Sequence, residues 1–198
     1  MKPTDCKDIV TLPHPCLTTK ATAIPATSEG LAMATEIIKD LENTLRPRMP
    51  AAGLAAPQIG ISKCVMIFSW DRSIEHLEAA INPSYKPLDA ATHLGWEGCF
   101  SVPLMLTQVS RYQTILATYT KLDGQQVRSI LRGFAARVFQ HETDHLDGLE
   151  TVHKEGAKIR HFKTHEELIA FLTEVKKGDQ AQYIEPEPVD QLHSIPIK

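Results

Sequence analysis

The 198-residue sequence is short of several features, and each absence narrows its class. No two of its cysteines, Cys6, Cys16, Cys64 and Cys99, form a C-x-x-C pair, and their spacing suggests no disulfide framework. A chain of this length buries a core without cross-links, so a reducing compartment is expected. No basic run is present and the formal net charge is only -3, which argues against nucleic acid as the main ligand. No apolar stretch approaches the ~20 residues of a membrane span, and the opening carries Lys2 but no apolar core of signal-peptide length. These absences leave a soluble, cytoplasmic protein with no membrane association, expected as a monomer. A single catalytic domain is expected over residues 1–178. An acidic tail with Pro186, Pro188 and Pro196 follows over 179–198, its composition favouring an extended or disordered segment, with a tail folded back through Tyr183, Ile184 or Leu192 equally allowed.

What the chain does contain is His141-Glu142-Thr143-Asp144-His145. On a helix, positions i and i+4 share a face, so His141 and His145 can bind one metal ion. Glu142 then stands about a third of a turn away, within reach of a metal-bound water. Phe134, Val138, His141 and His145 fall on one stripe that should face inward, and Gly148 follows where a left-handed cap is expected. The competing reading is a core helix whose histidines are satisfied by backbone carbonyls.

Other elements can be placed along the chain. Prolines at 3, 13, 15 and 25 make the opening an extended arm, with Ile9, Val10 and Leu12 as anchors. Leu31, Ala34, Ile37, Ile38, Leu41 and Leu45 recur at helical spacing, with Thr27 or Ser28 as cap and Pro47 and Pro50 as stops. The small residues from Ala51 to Gly60 read as a loop that backbone or ligand can approach closely, with Gln58 its only polar side chain. Residues 63–70 read as a buried strand containing Cys64, and 76–81 as a shorter one ending at Asn82-Pro83. Strands over 112–122 and 126–132 flank Asp123-Gly124, a hairpin signal. Thr164 and Glu167 form a capping box opening a helix over 164–177. The fold class expected is α+β, with antiparallel sheets packed around a central metal-binding helix.

The third ligand is a choice among candidates. A further histidine six positions after His145 would mark a metzincin, but Thr151 stands there. A thermolysin-like site would recruit Glu166 or Glu167, although the capping box already accounts for Glu167. Cys99, between Gly98 and Phe100, sits where the backbone can bend and aim a sulfur into a cleft, with an ordinary buried cysteine as the alternative. A non-catalytic module would close the site with Cys64 or His93.

Gly53-Leu54-Ala55-Ala56-Pro57-Gln58, Glu97-Gly98-Cys99-Phe100-Ser101 and Gln140-His141-Glu142-Thr143-Asp144-His145 together resemble the three motifs of the peptide deformylases, in order and at similar separations. Members of that family remove the formyl group from the N-terminal methionine of new polypeptides. The resemblance implies that Cys99, His141 and His145 bind the metal and that Glu142 handles the proton. It also implies that Gln58 and the Phe100 amide hold the oxyanion, that Gly53 offers backbone to the peptide, and that Arg111 clamps Glu97. Iron as Fe(II) is the implied metal, with zinc, nickel or cobalt able to occupy the same ligands. Two imidazoles and a thiolate leave a divalent ion with a net charge of about +1 and an open position, where a bound water ionises near pH ~7 and attacks the formyl carbon.

Ala52, Phe134 and Val138 are the candidates for a methionine pocket, with Arg137 at its edge. N-formylmethionyl nascent peptides are the implied partners. Ribosome docking through a basic C-terminal helix, known in some members, is poorly supported by Lys176 and Lys177 ahead of an acidic tail. Ala51 replaces a common glycine, Phe100 a leucine, and Leu149-Glu150-Thr151-Val152 departs from the usual apolar ending.

Overall fold

A computed structural model describes residues 6–178 and 183–189. The opening arm carries a short helix, α1 (Pro15–Thr18), where an extended segment is expected. Ile9, Val10 and Leu12 are only half-buried, and the fully buried anchor is Leu17 on that helix. The arm instead works through its backbone: the Val10 N–H donates to the Gln58 carbonyl at 2.9 Å and the Leu12 N–H to the Ser101 carbonyl at 3.1 Å. Two loops 43 residues apart are thereby tied to one strand of chain.

Helix α2 (Ser28–Leu45) begins with the Thr27 hydroxyl accepting from the Gly30 N–H at 3.1 Å. Ala34, Ile37, Ile38, Leu41 and Leu45 are buried along one face, each larger side chain stabilising by about 1.5–3 kcal/mol. A 3-10 turn, Arg46–Arg48, takes over where Pro47 interrupts the helix. The small-residue run is more regular than a loop: β1 (Gly53–Ala55) is followed by a 3-10 turn, Ala56–Ile59, closed by Gly60 at φ 79°. Strand β2 (Val65–Ser69) is buried throughout; Val65 and Ile67 pack with α2, while Met66 and Phe68 face the opposite side. Cys64 lies just before it and is half-buried, its thiol donating to the Ala21 carbonyl at 3.4 Å.

Strand β3 (Leu77–Pro87) does not end at Asn82-Pro83. Its register shifts between Ile81 and Ser84, with Asn82 at φ 50° and its side-chain amide paired with both backbone groups of Ile24 at 2.8 Å. The bulge absorbs the proline, which a regular ladder would not. Strand β4 (Thr92–Gly98) has no counterpart among the expected strands; β5 (Met105–Tyr112) takes Tyr112 into its own sheet, so that β6 (Thr114–Thr120) and β7 (Gln126–Arg132) form the expected hairpin, with Gly124 at φ 82°. Helix α3 (Gly133–Leu146), β8 (Lys158–His161), α4 (His165–Gly178) and β9 (Glu187–Pro188) complete the order. The antiparallel sheets run β1-β2-β3-β6-β7-β9 and β4-β5-β8. Among the described residues, no helix is long and apolar enough to cross a membrane.

Helix α3 lies between the sheets, and every residue from Ala135 to Leu146 except the half-buried Arg137 is buried, so burial extends well beyond the single inward stripe expected of it. Phe139 meets Phe68 edge-on at 5.2 Å on one side. Its polar residues must then find partners inside. Gln140 pairs with both backbone groups of Tyr112, at 3.1 and 2.9 Å, and Thr143 donates to the Phe139 carbonyl at 2.7 Å. The helix closes with Gly148 at φ 72°, its N–H on His145 and the Leu149 N–H on Asp144. A Cβ on Gly148 would meet backbone of Thr19 and Lys20 at 2.8–3.0 Å, so this turn also requires glycine for space.

Candidate metal centre

His141 and His145, one turn apart on α3, bring their Nε2 atoms to 3.3 Å, and Cys99 in the loop after β4 brings its Sγ to 3.4 Å from His145 Nε2. The three ligand atoms lie within 4.8 Å of one another, and they form the one such group among the described residues. Each imidazole has its other nitrogen tied down: His141 Nδ1 is 2.9 Å from Glu97 Oε2, and His145 Nδ1 is 2.9 Å from Glu150 Oε1. A carboxylate on Nδ1–H leaves the Nε2 lone pair aimed at the cluster, as metal-ligating histidines require.

Glu97 is held in turn by Arg111 on β5, through Nε at 3.0 Å and Nη2 at 2.8 Å, and by Arg137 Nη1 at 2.7 Å. Arg111 also donates to Asp144 on α3, which Lys154 approaches at 2.8 Å. Burial would raise the Glu97 carboxyl, but the hydrogen bonds from His141 and Arg111 outweigh it and hold it well below the usual carboxylate range. Arg137 sits so close to β4 that a Cβ on Gly95 would meet its guanidinium at 2.8 Å. Glu150, fully buried, is delivered by the Gly148 turn.

Burial alone would raise the Cys99 thiol, yet the imidazoles of His145 and His141 bring it down to about 6. Against the same burial, the thiolate and Glu97 push His141 up to about 10, and Cys99 and Glu150 push His145 well above its ordinary value. Protons and a divalent cation compete for these lone pairs, so cation binding would release protons. Gln58 accepts from the Ala55 N–H at 2.9 Å through Oε1, which turns its amide N–H groups toward Cys99 Sγ at 3.3 Å and Ser101 Oγ at 3.4 Å.

Glu142 is the exception to the satisfied interior of α3. Its Oε2 is buried without a hydrogen-bond partner, and burial pushes its carboxyl up to about 7. A Cβ on Gly53 would stand 2.6 Å from Glu142 Oε1, so glycine there makes room for the carboxylate. A soft thiolate with two imidazoles, backed by carboxylates and adjoined by one unpartnered carboxylate oxygen, fits a divalent transition-metal ion with an open position.

A cavity of about 850 Å³ opens onto Cys99, His141 and Glu142, and Ala52, Phe134, Val138 and Phe100 line it. Phe100 is 38 % exposed, which suits a residue proposed to act through its backbone. Glu166 is exposed on α4, Cys64 is occupied with Ala21, and His93 neighbours Arg137; none joins the ligand group. Half of the expected capping box forms on α4: Thr164 Oγ1 accepts from the Glu167 N–H at 3.3 Å, while the Glu167 carboxylate accepts from the Lys163 N–H at 2.9 Å rather than from Thr164. Sequence reasoning missed Glu150, whose signal was an acidic residue just past a helix-ending glycine, and the bond from Arg137 to Glu97.

The polypeptide deformylase family profile matches residues 6–159. "Peptide deformylase 2" of Rickettsia conorii is 38% identical over 144 residues, covering 65% of this chain and 71% of that protein. "Peptide deformylase 2" of Ralstonia nicotianae is 42% identical over 122 residues, covering 58% and 68%. Among solved structures, the peptide deformylase of Thermotoga maritima superposes with a TM-score of 0.66 at 32% identity, covering 74% of this chain and 95% of that one. The class I type b peptide deformylase of Acinetobacter baumannii, solved with Met-Ala-Ser bound, gives a TM-score of 0.66 at 29% identity over 77% and 98%.

Proposed function

This chain belongs to the polypeptide deformylase family, and on that footing we propose that Cys99, His141 and His145 hold its metal ion while Glu142, Gln58 and the Phe100 amide carry the reaction. The enzyme is a peptide deformylase, a hydrolase that removes the N-formyl group from newly made polypeptides. An ion held by these ligands supplies a Lewis acid and makes water acidic enough to ionise near neutral pH. Fe(II) is the proposed metal, with zinc, nickel or cobalt as substitutes in a site of one thiolate and two imidazoles. A cytoplasmic setting, a monomeric state and formyl-methionyl nascent chains as substrates are part of the same proposal.

One observation carries the assignment of roles: the unpartnered buried oxygen of Glu142, beside Gly53 and next in sequence to a ligand histidine. Glu142, with its carboxyl near neutrality, accepts a proton from the attacking water and returns it to the departing amine nitrogen as the C–N bond breaks. Gln58 and the Phe100 N–H donate to the formyl oxygen as negative charge grows there; losing one such donor costs about 3–4 kcal/mol of barrier. Ala52, Phe134 and Val138 receive the methionine side chain, and Gly53 presents backbone to the peptide. Glu97, clamped by Arg111, holds the His141 ring in its ligating tautomer.

The test is formate release from a formyl-Met-Ala-Ser peptide by anaerobically prepared Fe(II) or Ni(II) protein, run beside Glu142→Gln. The parent should turn over, and the variant should bind metal yet fall by ~10²–10⁴ in kcat. Equal rates would remove Glu142 from the chemistry.

A further inference from the structure

Residues 183–189 lie against the sheet beside the metal site and reach its cavity. Strand β9 lies antiparallel to β7, with Ser129 opposite Pro188 and Ile130 opposite Glu187. The Val189 N–H donates to the Arg128 carbonyl at 2.9 Å, Ser129 Oγ donates to the Glu187 carbonyl at 3.2 Å, and Arg132 meets the Glu187 carboxylate at 2.8 Å. These ties grip β7 up to Arg132, just ahead of Phe134 in the first turn of the metal helix. The same strap sets the Tyr183 ring edge-on to Phe134 at 5.1 Å and 87°, and lines the substrate cavity with Tyr183 and Ile184. Phe134 is held a second time by Arg72, whose guanidinium lies 4.5 Å over its ring. Arg72 also lines the cavity.

We infer that the strap of residues 183–189 determines substrate specificity, with Tyr183 positioning Phe134 so that the wall fits the unbranched side chain next to the formyl group. The inference rests on reading this cavity as the site for the formylated peptide. It extends the catalytic unit past residue 178. Tyr183 touches no reacting atom, so its effect falls on binding and selectivity and leaves the chemical step alone.

Full-length Tyr183→Ala, Tyr183→Phe and Val189→Pro proteins, loaded with Ni(II), test it against formyl-Met-Ala-Ser and formyl-Leu-Ala-Ser, with Met-Ala-Ser binding measured by calorimetry. Tyr183→Ala should raise KM for the methionine substrate roughly tenfold with kcat within about twofold, weaken Met-Ala-Ser binding in parallel, and reduce the preference for methionine over leucine. Tyr183→Phe, which keeps the ring edge, should behave as the parent. Val189→Pro removes one strap hydrogen bond and should reproduce the alanine phenotype. An unchanged KM and methionine preference in both Tyr183→Ala and Val189→Pro overturns the inference, as does a fall in kcat at constant KM. If the parent itself releases no formate, the functional reading fails first. Should Val189→Pro not fold, Tyr183→Ala decides, since this side chain is 48 % exposed.

Discussion

Helices α3 and α4 contribute to the same cavity by opposite means. The first is enclosed between two sheets, and its polar side chains are paired inside the protein apart from one oxygen of Glu142. The second has no fully buried side chain among its described residues; it leans on Trp96 through Phe171 at 5.4 Å, under Arg160, and turns Leu168, Leu172 and Val175 to the cavity. Enclosure makes every charge around α3 strong and every misplacement costly, which suits ligands and a proton carrier. Loose apolar contact around α4 tolerates varied side chains, which suits the part of a nascent chain that differs from one substrate to the next.

The sharpest way to break this comparison is Cys99→Ser together with Glu166→Gln. The first should lose its metal and with it nearly all formate release, read by metal analysis and turnover, whereas the second, on α4, should match the parent. A Glu166→Gln protein stripped of metal would reverse the assignment of ligands. Next in size is Glu150→Gln, which takes the carboxylate from His145 Nδ1. Metal affinity should drop by ~10–100-fold in a competition titration with a chelator.

A smaller effect concerns acid. The Glu97 carboxyl is depressed in the folded protein: burial alone would raise it, but His141 and Arg111 overcome that. A depressed folded pKa means stability that is fully present above the ordinary value of about 4.3 and is lost as pH falls through the folded value. The melting temperature should therefore decline more steeply below about pH 4 in the parent than in Glu97→Gln; equal slopes would show that the clamp does not carry this linkage. The least effect belongs to Phe171→Ala on α4. Half-buried and edge-on to Trp96, this ring should cost about 1–2 kcal/mol in denaturant unfolding and leave formate release with formyl-Met-Ala-Ser unchanged.

The elements legible in the sequence are those whose signals act within a turn or two. Thr27 caps α2, Asp123-Gly124 turns the hairpin, Gly148 ends the metal helix and Thr164 caps α4, because capping and turn geometry depend on near neighbours alone. Expectations failed where a partner was distant. Strand β3 continues through Asn82-Pro83 because Ile24 satisfies the asparagine amide, and β4 exists because β5 pairs along its whole length, from Thr92 opposite Tyr112 to Gly98 opposite Leu106. Neither partner lies within the reach of a local pattern.

The site divides along the same line. The two imidazoles one turn apart, the glutamate beside the first and the cysteine freed by its neighbouring glycine follow from the order of residues, since a helix sets the i, i+4 spacing whatever surrounds it. Tertiary structure alone decided that Glu97 backs one imidazole and Glu150 the other, that Glu142 keeps an oxygen unpaired, and that Tyr183 reaches Phe134. Those outcomes depend on which sheets enclose α3 and which edge β9 joins, and burial of charge acquires its strength only when water has been excluded from every side.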